Sequence, residues 1–216
     1  MSDDIDHRHA EPHEIEVTTD DGCVLVGDLA IPRDARCAAA ILHPHPRMGG
    51  DRHNAVVDAL FRALPTAGVA VLRVDFRGVG RSTGGYDGGV GERLDGLAAL
   101  ATLDAALPEL PLWSLGYSFG ADVALSIDHE RLAGWVVVAP PLAVVSEAPP
   151  AAAPGRPTVL VVPAHDQFAP PEAARSATAE WADTTLEEVP MADHFLVGRL
   201  DAMVELVLAA LAVPET

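Results

Sequence analysis

The chain contains no lysine: all 14 of its basic residues are arginine, against 32 acidic ones, for a formal net charge of −18. A surface this acidic repels polyphosphate and anionic lipid, so neither nucleic acid nor an anionic membrane is expected as a partner. Cysteine is nearly absent. Cys23 and Cys37 lack C-x-x-C spacing, so neither a redox pair nor a metal knuckle is expected, and both read as small buried strand residues. No apolar run is long enough to span a bilayer. Met1–His13 has neither a basic n-region nor an apolar h-region, so no signal peptide is expected and a cytoplasmic location follows by default. Aromatic residues make up only 5% of the chain, yet 49% is hydrophobic. The core must therefore be built from small aliphatic side chains. At 216 residues there is room for one domain with a sizeable core but little for a second.

What is present is a regular alternation. Residues 1–12 read as a flexible tail, and 13–216 as a single domain. Glu14–Thr19 and Cys23–Ile31 alternate around the turn Asp20-Asp21-Gly22, as the strands of a hairpin do. Buried-strand patterns follow at Ala38–Leu42, Val69–Val74, Leu110–Leu115, Leu132–Val138, Thr158–Val162 and Thr185–Val189. Between them lie helical patterns at Asn54–Leu64, Leu94–Leu107, Ala121–Asp128, Pro171–Trp181 and Val197–Leu211. Strands alternating with amphipathic helices imply an α/β fold: a mostly parallel sheet with helices on both faces, led in by an antiparallel N-terminal hairpin. Pro140–Pro157, rich in Pro and Ala, is the one long irregular segment and is too short for a separate cap.

Gly116-Tyr117-Ser118-Phe119-Gly120 joins a strand pattern to a helix pattern. A serine between two glycines at such a turn has the form of a nucleophile elbow, in which the hydroxyl stands above the sheet edge. A serine nucleophile needs a base, and the base needs an orienting acid, usually in the order Ser, Asp or Glu, His. Downstream, His165 and His194 are the candidate bases, His129 being set aside as part of the polar end of the elbow helix. His194 follows the last strand, on the sheet edge where parallel sheets build their sites. Asp166 follows the preceding strand and is the candidate acid, with Asp193 as rival. The developing oxyanion needs backbone N–H groups. Phe119 offers one. In the loop His43-Pro44-His45-Pro46-Arg47 the prolines have no N–H, so His45 is the best second donor, with Arg47 behind it. Tyr117, Tyr86, Phe168 and Phe195 are candidate pocket walls. The H-x-H pair at His43 and His45 invites a metal, but no third ligand is near in sequence, so none is expected. Asp75-Phe76-Arg77-Gly78-Val79-Gly80-Arg81-Ser82 lacks a P-loop lysine and reads as an arginine-braced turn rather than a phosphate cradle.

These residues together resemble the α/β-hydrolase superfamily, and within it the small, cap-poor hydrolases related to dienelactone hydrolases. The resemblance spans about residue 14 to the C-terminus. It rests on the HPHP-x-x-GG loop at His43–Gly50, the D-x-R-G-x-G-x-S loop at Asp75–Ser82, G-Y-S-F-G, and A-D-H-F at Ala192–Phe195. It implies a Ser118 nucleophile, a His194 base and an Asp166 acid. It also implies a small-molecule acyl substrate, no cofactor, and frequent pairing into homodimers. Two departures stand out: His43-Pro44 where many relatives have His-Gly, and a serine where dienelactone hydrolases proper carry a cysteine. The expected activity is hydrolysis of a small carboxylic ester, or of a thioester or amide. The alternatives are an acyltransferase using the same residues and a non-catalytic binding protein on the same fold.

Overall fold

Alternating side chains make His13–Thr18 (β1) and Val24–Ala30 (β2) an antiparallel hairpin in which Val17, Leu25 and Leu29 face the core. The computed structural model describes residues 11–145 and 148–211; the tail expected over residues 1–12 lies outside them but for its last two positions. β2 pairs antiparallel with Val69–Val74 (β4). From there the sheet is parallel. Cys37–Leu42 (β3) lies between β4 and Leu112–Tyr117 (β5), followed by Leu132–Val138 (β6), Thr158–Pro163 (β7) and Thr184–Val189 (β8). The eight strands are ordered β1-β2-β4-β3-β5-β6-β7-β8. The strands β3 to β7 are almost wholly buried, which is why they read as mainly apolar runs rather than as alternations, with Arg73 in β4 the charged exception.

Helices cover both faces. Ala55–Thr66 (α1) and Leu200–Leu211 (α5) pack on one face through Val57, Leu60, Leu64, Met203 and Val207. Val90–Ala106 (α2), Phe119–Leu125 (α3) and Pro171–Ala177 (α4) cover the other, with Leu100, Leu103, Val123 and Ala174 against the sheet. The architecture is thus the one expected from the alternation, and the element boundaries move for local reasons. α2 begins four residues before Leu94 because the buried Glu92 carboxylate reaches back to the N–H groups of Asp87 (2.9 Å) and Gly89 (2.8 Å), completing a first turn with no apolar periodicity. The elbow helix ends at Leu125, so His129 lies beyond it, in the turn that enters β6 at the opposite sheet edge from Ser118. β5 runs on to Tyr117, whose register partner in β6 is Val138. That extension carries the next residue, Ser118, to the carboxyl edge of the sheet.

Candidate active site

Six loops meet at that carboxyl edge: those after β3, β4, β5, β6, β7 and β8. The β5 turn is the tightest. Ser118 sits at φ 54°, a left-handed value that a side chain adopts only under constraint. The constraint is backbone crowding. A methyl on Gly116 would run into the Gly120 carbonyl, and one on Gly120 into the carbonyls of Leu42 and His43. The two glycines let β3, β5 and α3 approach closely enough to hold the serine in this conformation.

Ser118 Oγ lies 2.9 Å from His194 Nε2, and His194 Nδ1 lies 2.8 Å from Asp166 Oδ2. The structure thus brings together three side chains from the loops after β5, β8 and β7. The acid loop is wound around its carboxylate: Asp166 Oδ1 accepts the N–H groups of Phe168 (2.8 Å) and Ala169 (3.1 Å), leaving Oδ2 for the imidazole. His194 is buried and gripped at its backbone as well. Its N–H donates to Gln167 Oε1 (3.2 Å), and its carbonyl accepts the Tyr117 hydroxyl (2.9 Å). Burial, reinforced by the charges of Asp166 and Asp193, raises the Tyr117 phenol well above its ordinary value, so it remains a donor. The other sequence candidates are not brought in. His165 is exposed, and its backbone N–H bonds the Ala192 carbonyl (2.8 Å). Asp193 is exposed and accepts the Phe195 N–H (3.1 Å).

The loop after β3 is fixed by its two histidines. His43 is fully buried; its Nε2 accepts the Phe76 N–H (3.0 Å) and its Nδ1 meets the Pro44 carbonyl at 2.6 Å. Nδ1 must therefore carry the proton of a neutral ring. Burial accounts for this, lowering the pKa to about 4. His45 caps the single turn of 3-10 helix at Pro46–Met48, its Nδ1 accepting the Arg47 N–H (3.1 Å), while its Nε2 lies 3.1 Å from the Tyr86 hydroxyl. With both rings engaged on different partners, the H-x-H pair does not converge on a cation. Arg77 is likewise occupied. Its guanidinium is held by Asp95 (2.8 and 3.0 Å) and Asp21 (2.8 and 3.2 Å), and the exposed Arg81 pairs with Glu14, so both guanidinium groups of the loop after β4 are engaged by carboxylates. Among the described residues, the backbone N–H groups of Phe119 and His45 have no hydrogen-bond acceptor.

A cavity of about 400 Å³ opens over Ser118. Tyr117, Tyr86, Phe168 and Phe195 all line it, with Met48, Val144 and His194. Phe168 and Phe195 stand at 4.5 and 5.6 Å, centroid to centroid, from the His194 ring and are more than half exposed at the rim.

Sequence reasoning missed Asp122, one turn beyond Ser118 on α3. It is buried, and its carboxylate accepts three consecutive N–H groups, from Leu142 (2.8 Å), Ala143 (2.8 Å) and Val144 (3.1 Å). Arg93 donates to the Val144 carbonyl from α2 (3.0 Å). These contacts pin the first part of the irregular segment against the cavity, where Pro141, Ala143 and Val144 form a wall. An acid at the fourth position after the elbow serine was the available signal.

The chain is similar in sequence to an uncharacterized protein of Rickettsia prowazekii (strain Madrid E), 40% identical over 107 residues, which make up 48% of this chain and 45% of that one. The match thus spans less than half of that relative. In structure it is similar to an α/β serine hydrolase homologue from Coxiella burnetii (TM-score 0.81, 30% identity, 93% of this chain and 97% of the other). An α/β serine hydrolase without lid from Xanthomonas campestris is similar too (TM-score 0.79, 28% identity, 96% and 97%). The Pyrococcus furiosus esterase Pf2001, at 20% identity and TM-score 0.75 over 92% and 91%, shares the fold. The family model described as serine aminopeptidase, S33 matches residues 39–162. With more than half of its length inside that match, the chain belongs to this family of α/β-hydrolases.

Proposed function

We propose that the protein is a serine hydrolase that cleaves a small, uncharged carboxylic ester through an acyl-enzyme on Ser118. The observation that carries the reading is the continuous hydrogen-bonded line Ser118 Oγ–His194 Nε2 and His194 Nδ1–Asp166 Oδ2, at 2.9 and 2.8 Å, open at its serine end to the cavity. Ser118 attacks the ester carbonyl while His194 Nε2 takes its proton, and Asp166 steadies the imidazolium that forms. The Phe119 and His45 N–H groups, which have no acceptor among the described residues, bind the negative charge that develops on the carbonyl oxygen. His194 returns the proton to the departing alkoxide. A water, deprotonated in turn by His194, then attacks the acyl carbon, and the carboxylic acid leaves as Ser118 regains its proton.

An ester fits the cavity better than a peptide N-terminus does. An aminopeptidase needs a carboxylate free to hold the substrate ammonium. Among the described residues the lining carboxylate is Asp122, and both its oxygens are already taken by backbone N–H groups. An ammonium brought into the rest of this largely apolar lining would lose its hydration without a partner in return.

Labelling with a fluorophosphonate tests the nucleophile, and a series of p-nitrophenyl esters of rising acyl length tests the substrate. The wild type should be labelled and should turn over the shorter esters, and Ser118→Ala should do neither. Equal labelling of the Ser118→Ala protein would remove Ser118 from the role.

A further inference from the structure

The His45–Tyr86 contact fixes where a proton points. His45 Nδ1 accepts the Arg47 N–H that closes the 3-10 turn, so this nitrogen carries no hydrogen and the ring proton is on Nε2. That Nε2–H donates to the Tyr86 oxygen at 3.1 Å. The phenol accepts there and keeps its own O–H, for which the described residues offer no acceptor. Tyr86 cannot turn away freely. Its ring packs at 4.9 Å from His45 and 5.8 Å from Phe119, centroid to centroid, and the Arg47 guanidinium lies over it at 4.8 Å. His45 and Phe119 are the two residues whose backbone N–H groups are proposed above to receive the oxyanion, and both line the cavity together with Ser118 and Tyr86. A hydroxyl donor is thus held on the oxyanion side of an otherwise mostly apolar chamber.

We propose that Tyr86 determines specificity, donating its hydroxyl to an oxygen acceptor that the substrate carries beyond the scissile carbonyl: an ether, hydroxyl or second carbonyl. The proposal rests on the ester-hydrolase reading and narrows it. A purely aliphatic ester that displaces water from this hydroxyl leaves a donor unpaired; an oxygenated ester pairs it. The loop sequence His45-Pro46-Arg47 sets the tautomer, the tautomer sets the direction of the Tyr86 proton, and that proton selects the substrate. Tyr86 takes no part in bond making. Its contribution belongs to binding and should appear in kcat/KM for one class of ester rather than in the turnover of all.

Two isosteric pairs test this, each exchanging one CH2 for O: p-nitrophenyl butyrate against p-nitrophenyl methoxyacetate for the acyl side, and butyl acetate against 2-methoxyethyl acetate for the alcohol side. Each kcat/KM is divided by the hydroxide-catalysed rate of the same ester to remove intrinsic reactivity. The wild type should favour the oxygenated member of at least one pair by about three- to tenfold, the worth of one net hydrogen bond. Tyr86→Phe, which keeps the ring and its packing, should abolish that preference, the oxygenated member losing about three- to tenfold relative to the aliphatic one whatever common change both undergo. Neither pair showing a preference, the preference surviving in Tyr86→Phe, or both members falling equally would overturn the proposal. The corresponding amides, titrated calorimetrically into Ser118→Ala and Ser118→Ala/Tyr86→Phe proteins, read the same ratio as affinity. If no ester is hydrolysed, the ester reading fails while the amide ratio still decides the role of Tyr86.

Discussion

Acidifying the protein from about pH 7 to about pH 5 should weaken it through one buried imidazole, that of His43. This ring is solvent-free, donates from Nδ1 to the Pro44 carbonyl and accepts the Phe76 N–H at Nε2, so a second proton would break the Phe76 bond and strand a charge in the core. Burial accordingly lowers its pKa from 6.5 to about 4. Between those values the unfolded chain binds a proton that the folded chain refuses, so stability is full above 6.5 and drains away as the pH falls toward 4. At about 1.4 kcal/mol for each pH unit, the gap amounts to about 3 kcal/mol, of which about 2 is lost by about pH 5. Urea unfolding of the wild type and of His43→Gln at both pH values measures it. The glutamine keeps an acceptor near Phe76 but cannot titrate, so its stability should fall by about 2 kcal/mol less than that of the wild type over the same interval. All other titrating groups are common to both proteins and cancel. Equal losses would show that His43 is not held neutral by burial. Because the same loop presents His45 to the cavity, the wild type should also lose ester turnover on this limb sooner than His43→Gln.

Two further perturbations separate catalysis from architecture. Asp166→Asn retains an oxygen for the Phe168 and Ala169 N–H groups but turns an NH2 toward His194 Nδ1, which moves the imidazole proton onto Nε2, where it faces Ser118. A ring in that tautomer cannot accept the serine proton. The expected loss is on the order of 10³–10⁴ in kcat with KM nearly unchanged, and a variant within tenfold of wild type would contradict the acid assignment. Asp122→Ala frees three N–H donors of the cavity wall to partial hydration, at a cost of about 2 kcal/mol, or about 4–8 °C in Tm by calorimetry. With Ala143 and Val144 released, the ester panel should shift toward longer acyl chains; an unchanged chain-length profile would mean the wall holds without its anchor.

The alternation of strands and helices, the glycines at 116 and 120 and the apolar runs were legible from sequence because each follows from local chemistry. A strand buried on both faces must be uniformly apolar, and a turn in which three backbones nearly touch must lack side chains. The same logic placed Ser118, Asp166 and His194 on one sheet edge, since parallel strands deliver their following loops to a common end. The starts and stops of helices were less legible. Glu92 opens α2 by bonding backward to Gly89, a contact that no apolar period records.

What the sequence alone determined was therefore which residues could share an edge. Tertiary structure decided which of them meet. The choice of His194 over its near neighbour His165 depends on a loop held by Gln167 and Tyr117. The position of the 141–144 wall depends on a carboxylate some 20 residues away in sequence. The direction of the Tyr86 proton depends on a backbone N–H at Arg47, passed through an imidazole. Apart from the local bond between Arg47 and His45, these are hydrogen bonds between polar groups far apart in sequence. Their partners are set by distances of 2.8 to 3.2 Å that exist only once the sheet has brought the loops together, whereas the hydrophobic pattern that builds the sheet is written residue by residue.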